Sequence, residues 1–197
     1  MKKNFFPILF SIFLTLGPNY AFAIEPDIFV QSTVNKASQI LSKNISKNQK
    51  ISELKSIAME TVDIRGVAYY SLGSARKDLD TNQKKKYLEL FTAYFLKSFS
   101  SRLAEYTNPE IEVKEKVFLN KNYTMVSSIL VGTSERPEVK IDWRIYTKDP
   151  HNPLIRDLII EGLSLARTQK EEFASILNSN NNDINVLFKS LEDFSRN

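Results

Sequence analysis

Cysteine is absent from the 197 residues, and histidine occurs once, as His151. Without cysteine the chain can form no disulfide, no thiolate nucleophile and no thiolate metal site. The single histidine lies in a loop between Pro150 and Pro153, which argues against a histidine-based triad or a multi-histidine metal site. We therefore expect no metal and no cofactor, and stability that depends on an ordinary hydrophobic core.

Glycine is also scarce, with five residues, and none stands in the arrangement of a phosphate-binding loop. Neither sign of charge dominates, because the chain has 27 lysines and arginines and 23 acidic residues, for a net charge of +4. Nucleic-acid-binding domains usually concentrate a basic excess in a stripe. The composition therefore predicts neither nucleotide chemistry nor nucleic-acid binding.

The first 23 residues have the pattern of a secretory signal peptide. Lys2 and Lys3 precede the mainly apolar stretch 5–16, and Ala21-Phe22-Ala23 has the small residues of a cleavage site. The apolar stretch is short for a membrane span, which needs about 20 residues, so an uncleaved anchor is the less favoured alternative. We predict cleavage after Ala23, a mature chain of residues 24–197 that forms one domain, and export to the periplasm.

Apolar residues at three- and four-residue spacing predict helices on both sides of a central β region. The strongest follows Asp80, which forms a capping-box pattern with Gln83 and precedes a phenylalanine stripe that ends at Tyr106. We expect the others near 26–41, 51–64, 67–72, 165–177 and 183–194. The short helix at 67–72 is expected to end at Gly73.

Between residues 111 and 160 the apolar period changes to two, which predicts β-strands. The expected strands are 111–117, 123–131, 139–146 and 154–160, and the second is expected to turn Tyr123, Met125, Ile129 and Val131 inward. Helices flanking a four-strand antiparallel meander form an α+β fold. Its apolar faces either fill a closed core or part to hold an apolar ligand.

Several segments resemble one family. Leu72-Gly73 with Arg76 and Gln83 is similar to the turn that enters its long helix, and 91–106 is similar to its phenylalanine-striped helix. The segment 157–165, which contains Glu161-Gly162-Leu163-Ser164-Leu165, resembles its Asp-Val-x-Val-Glu-Gly-Val-Ser-Leu motif. On these residues the chain resembles the periplasmic phospholipid-binding MlaC proteins, also called toluene-tolerance proteins, of the Mla lipid transport system.

Two departures from the family pattern affect side chains near these segments. Ala75 stands where the family often has tryptophan, and Gln169-Lys170 stands where a Tyr-Arg pair often occurs. We therefore carry over no contact made by those side chains.

The resemblance implies a phospholipid carrier in which helices on a twisted four-strand sheet enclose an apolar pocket. It also implies two partners, an inner-membrane MCE-domain ABC transporter complex and an outer-membrane lipoprotein–porin complex, and a role in outer-membrane lipid asymmetry. The apolar faces supply ten candidate lipid-binding residues: Phe91, Phe95, Phe99, Ile129, Val131, Val139, Ile141, Trp143, Leu158 and Ile160.

Two other classes stay open from the residues alone. One is a small-molecule enzyme on a cone-shaped α+β fold, in which a buried Asp63 or Asp157 serves as the base. The other is a structural adaptor with a closed core and no ligand.

Overall fold

The computed structural model describes residues 23–106 and 109–196, so the predicted leader, apart from Ala23, lies outside the described residues. The helices are α1 (Pro26–Ser42), α2 (Lys47–Thr61), α3 (Ile64–Leu72), α4 (Thr81–Leu103), α5 (Leu165–Ser179) and α6 (Ile184–Arg196). The strands are β1 (Ile111–Asn120), β2 (Tyr123–Leu130), β3 (Val139–Tyr146), β4 (Leu154–Ile160) and β5 (Leu163–Ser164). The α+β class is therefore confirmed.

The start of α4 is set by the capping box that the sequence predicts. The Asp80 carboxylate accepts the Gln83 backbone N–H at 2.8 Å, and the Gln83 side-chain oxygen accepts the Asp80 backbone N–H at 3.0 Å. The helix ends at Leu103, three residues before the end predicted at Tyr106, because the Tyr106 N–H donates to the Leu103 carbonyl in a tight final turn.

The sheet has five antiparallel strands in the order β1-β2-β3-β4-β5, so the prediction of four strands is wrong. The fifth is a two-residue strand that follows a tight turn at Glu161 and Gly162, where φ is 49° and 81°. Two consecutive residues of positive φ reverse the chain at once, as in the two-residue hairpins that contain glycine. A strand this short leaves no periodicity for sequence reasoning to detect.

The predicted inward face of β2 is also wrong. Val126 pairs with Trp143 and Ser128 with Ile141, whereas Ile129 pairs with Lys140 on the other face. The error has a physical reason: the inner face of β2 carries small polar residues, and their hydrogen bonds replace apolar contacts. The Ser128 hydroxyl accepts the Trp143 indole N–H at 2.8 Å and donates to the Ile141 carbonyl at 3.2 Å.

The helices cover the sheet unevenly. α1 packs against β1 and β2, while α3 and α5 pack against β4, so that β3 lies between the two zones of close helix contact. α4 packs mainly on α2, α3 and α6. In the described part of the chain, no helix is long and apolar enough to cross a membrane.

Candidate functional site

Three phenylalanines on α4 form a stacked ladder. Phe91, Phe95 and Phe99 lie one turn apart, with ring centroids separated by 6.2 and 5.7 Å and ring planes within 14° of parallel. Phe91 is fully buried, whereas Phe95 and Phe99 are only half buried. The helix therefore presents apolar surface that begins in the core and continues beyond it.

The buried end of the ladder is held by other aromatic side chains. Phe173 from α5 meets the edge of Phe91 at 90°, and Tyr94 lies 4.8 Å from the ring of Phe194 on α6. Burial, reinforced by the charge of Glu172, raises the pKa of Tyr94, and its hydroxyl donates to the Gln169 side chain at 2.7 Å. The Tyr94 phenol therefore stays neutral.

The inner face of the sheet supplies a second apolar surface. Ile141 and Trp143 of β3 pair with Ile160 and Leu158 of β4, respectively. Ile141 and Trp143 are buried and belong to the same core as Phe91, while Leu158 and Ile160 are half buried. Val139 lies two residues before Ile141, and therefore on the same face of β3, and is half buried as well. Buried side chains thus form the floor of this surface, and half-buried ones lie at its rim.

The ten candidate lipid-binding residues therefore divide into three groups. Phe91, Ile141 and Trp143 fill the core, and Phe95, Val139 and Leu158 are half buried against it. Phe99 and Ile160, in the same second group, are also half buried. Ile129 lies on the outer face of the sheet, and Val131 follows the end of β2. The structure therefore does not bring these last two to the inner face with the others.

Sequence reasoning missed three residues of the same inner surface. Ile111 and Val113 of β1 and Leu130 of β2 are half buried against the core that contains Trp143, and their register places them on its side of the sheet. The apolar alternation of Ile111 and Val113 was visible in β1, whereas Leu130 was lost when the face of β2 was misassigned. Once Leu130 replaces Ile129 on the inner face, all three follow from strand alternation.

The enclosed apolar pocket that the resemblance implies is not confirmed. One recess, of about 570 Å³, lies between α1 and the start of β1 and is lined largely by polar groups such as Gln31, Asn35 and Glu110. A second, of about 350 Å³, lies between the end of α3 and α5 and is lined by Tyr70, Lys77 and four other residues. Neither contains any of the ten candidate residues.

The two carboxylates considered as catalytic bases both hold the fold together. Asp63 accepts the Gly66 backbone N–H at 2.8 Å and contacts the Arg156 guanidinium at 2.5 Å. Asp157, which is 6% exposed, accepts the Ser164 hydroxyl at 2.6 Å and the Ala166 backbone N–H at 3.0 Å. Within residues 23–106 and 109–196, no three His, Asp or Glu side chains gather closely enough to hold a metal ion.

Comparisons with known proteins identify one family and one similar fold. Residues 31–193 match the profile of the family described as MlaC protein. The fold is similar to that of a phospholipid-binding protein from Ralstonia solanacearum, solved in complex with a phospholipid, with a TM-score of 0.74 and 16% identity. The alignment covers 88% of this chain and 98% of the other. No curated protein matches.

Proposed function

Since the chain belongs to the MlaC family, we propose that it is a periplasmic phospholipid carrier, the soluble component of an Mla-type ABC transport system that maintains outer-membrane lipid asymmetry. The observation that carries the proposal is the apolar surface around the core, where the phenylalanine ladder of α4 and the inner face of the sheet both include half-buried side chains. The related Ralstonia protein, of the same fold, was solved with a phospholipid bound.

Physical chemistry explains why such a carrier is needed. Burial contributes about 0.8 kcal/mol per CH₂, so two tails of about a dozen methylenes each cost roughly 20 kcal/mol to expose to water. Free diffusion of a phospholipid between membranes is negligible at that cost. The carrier must therefore shield the tails while the headgroup stays near solvent.

We place the acyl tails between the ladder and the inner face of β3 and β4. Close helix packing lies on β1 and β2 at one side and on β4 at the other, so we expect the layers to separate over β3 with the smallest loss of contact, next to the half-buried end of β4. Phe95, Phe99, Leu158 and Ile160 would then meet the tails first, because each already has exposed surface. Apolar contact to the lipid replaces apolar contact between protein layers, so opening the layers leaves little surface in water.

Release, like transport, must keep the acyl tails out of water. A loaded pocket does not empty spontaneously into water, so we propose that docking to a partner opens it and the tails pass directly between apolar surfaces. The partners in this proposal are the inner-membrane MCE-domain ABC transporter complex and the outer-membrane lipoprotein–porin complex. The predicted signal peptide, residues 1–23, would deliver the chain to the compartment where both are accessible.

Mass spectrometry tests the carrier function directly. The mature protein, purified without detergent, is measured under native and denaturing conditions, and the bound lipid is extracted and identified. We expect one intact phospholipid per protein and no conversion of it over time. A lipid-free mass after incubation with phospholipid vesicles, or turnover that disappears in Asp157→Asn, would contradict the carrier.

The release step has its own test. Loaded protein is mixed with bare vesicles or with vesicles that contain the inner-membrane complex, and transfer is followed with a fluorescent phospholipid. We expect much faster transfer to the vesicles with the complex. Equal rates would refute partner-triggered release while leaving lipid binding intact.

A further inference from the structure

A cationic recess lies on the surface where the end of α3 meets α5. Its lining comprises Tyr70, Gly73, Ser74, Arg76, Lys77 and Lys170, and its volume is about 350 Å³. Residues 73–77 form a 3₁₀ helix that follows α3 directly. Three of the six lining residues are therefore cations, contributed by two segments almost 100 positions apart.

The cations of the recess form no ion pair in the part of the chain that the structure describes. Within the two described ranges, no carboxylate lies within ion-pair distance of Arg76, Lys77 or Lys170, whereas neighbouring Arg167 is paired with Glu171 at 2.9 Å. The Lys170 ammonium instead lies 5.3 Å from the centroid of the Tyr70 ring. Gathered positive charge of this kind attracts an anion, since the anion relieves mutual repulsion and forms charge-assisted hydrogen bonds.

The backbone has the shape that keeps the recess open. Gly73 ends α3 with a φ of 61°, a conformation that residues with a Cβ rarely adopt. A Cβ at this position would lie 3.3 Å from Cε of Lys170, so glycine leaves room for the lysine chain to cross the turn. Arg76 donates one guanidinium N–H to the Tyr69 carbonyl at 3.3 Å, which orients the group and leaves its other donors available.

We propose that this recess binds a phosphate group. The guanidinium of Arg76 offers the planar pair of donors that phosphate oxygens accept, and Lys77 and Lys170 add point charges to the same recess. The exposed Tyr70 ring gives an apolar wall for the carbon atoms attached to the phosphate. The phosphate belongs either to a lipid headgroup or to a small soluble phosphate, and the site differs from the apolar surface proposed for the acyl tails.

The first test uses ligands without acyl chains. Inorganic phosphate and glycerol 3-phosphate are titrated by calorimetry into the mature protein and into Lys77→Gln/Lys170→Gln. Lys36→Gln/Lys47→Gln is the matched control: it changes the net charge equally, at exposed lysines of α1 and α2 that form no ion pair in the described ranges. We expect at least tenfold weaker binding in the recess variant and less than twofold in the control. Equal losses in both variants, or no binding by the unsubstituted protein, would overturn the proposal.

The second test separates the two sources of phosphate. Co-sedimentation is measured with vesicles of phosphatidylglycerol and of phosphatidylcholine, with and without glycerol 3-phosphate as competitor. Competition, and a loss confined to the recess variant, would assign the site to a lipid headgroup. Loss of glycerol 3-phosphate binding with unchanged vesicle binding would assign it to a soluble phosphate.

Three further measurements complete the design. Circular dichroism checks that each variant folds, and Arg76→Lys, which keeps the charge but loses the planar fork, should bind phosphate more weakly than the unsubstituted protein. Co-purified lipid is measured in the same preparations, so that a failure of phosphate binding is distinguished from a failure of the carrier function.

Discussion

At the scale of the residue, one carboxylate joins the helical layer to the sheet. Asp63 caps α3 through the Gly66 N–H and contacts Arg156, whose guanidinium also donates to the Tyr123 hydroxyl and lies 4.3 Å from the Tyr146 ring centroid. A Cβ on residue 66 would lie 2.5 Å from Cζ of Arg156, so glycine allows the guanidinium to approach the helix. Local helix capping and long-range packing therefore depend on the same side chain.

We predict that Asp63→Ala lowers the free energy of unfolding by about 2 to 3 kcal/mol, because it removes a helix cap and leaves a half-buried arginine without its partner. Asp63→Asn keeps an oxygen that can cap α3, and should lose roughly half as much. Urea unfolding followed by circular dichroism measures both. Equal loss in the two variants would show that the cap contributes nothing, and no loss in either would contradict the structural role of Asp63.

The residues that resemble the family motif around Glu161 also act structurally. The chain reverses at Glu161 and Gly162, and Ser164 then caps α5 through the Arg167 N–H at 3.0 Å while donating to Asp157. These residues form the corner between β4 and α5. The turn and cap residues of the motif thus shape the corner, while Leu158 and Ile160 earlier in the same segment are the residues proposed to contact lipid.

At the scale of the element, α4 begins at a single capping box. Asp80→Ala removes the acceptor for the Gln83 N–H, and we expect a loss of about 1 kcal/mol in the free energy of unfolding. Asp78→Ala, two residues earlier and exposed, is the control and should change stability by less than about 0.5 kcal/mol. Thermal or urea unfolding compares the two. A loss of the same size in both variants would attribute the effect to charge and not to the cap.

The start of α1 is tied to β1 by a cluster of charges. The Lys116 ammonium contacts Glu25 and lies 2.7 Å from Asp27, and this hydrogen bond lowers the pKa of Asp27 below its ordinary value. A carboxyl with a lowered pKa in the folded state stabilises the fold above its unfolded pKa, and that contribution is lost as the pH falls through the folded value. Below both values the cluster contributes nothing through Asp27.

We therefore predict a pH-dependent effect of Lys116→Gln. At about pH 7 the variant should melt at a slightly lower temperature than the unsubstituted protein, and the difference should disappear at about pH 2. Differential scanning calorimetry at several pH values measures it, with Lys121→Gln, an exposed lysine of the same hairpin, as control. A difference that persists in acid would contradict the assignment to Asp27.

At the scale of the whole molecule, the uneven cover of the sheet is the feature most relevant to cargo. The helices pack closely at the β1–β2 side and at β4, and the ladder of α4 joins the same core through the buried Phe91 and the half-buried Phe95. A lipid tail can replace the protein contacts of the half-buried side chains, while the fully buried side chains keep the fold intact. Variants that test lipid binding should therefore be made at the rim and not in the core.

We predict that Phe99→Asp reduces the lipid that co-purifies with the protein at least fivefold. A carboxylate next to acyl chains must be desolvated or protonated, and either is costly. Phe118→Asp is the matched control, since Phe118 is 72% exposed on β1 and takes no part in the ladder. Lipid extraction and mass spectrometry give the ratio of lipid to protein. Equal lipid content in the two variants would place the tails away from the ladder.

Local pattern was sufficient to predict much of the architecture. The stripe of α4, its capping box, the short helix ended by Gly73 and the alternation in β3 were all visible in the sequence, because each depends on residues a few positions apart. The predicted strand 154–160 also matches β4 in its bounds. These features follow from helix and strand periodicity alone.

Tertiary structure decided which apolar residues share a surface. Ile129 was assigned to the wrong face because Ser128 and Thr124 lie inward, and their place depends on hydrogen bonds and register across the strands. The ion pair of Asp63 with Arg156 and the cationic recess of Lys77 and Lys170 likewise join residues that are distant in the chain. Sequence determines the period of each element, whereas only packing between elements decides which faces meet.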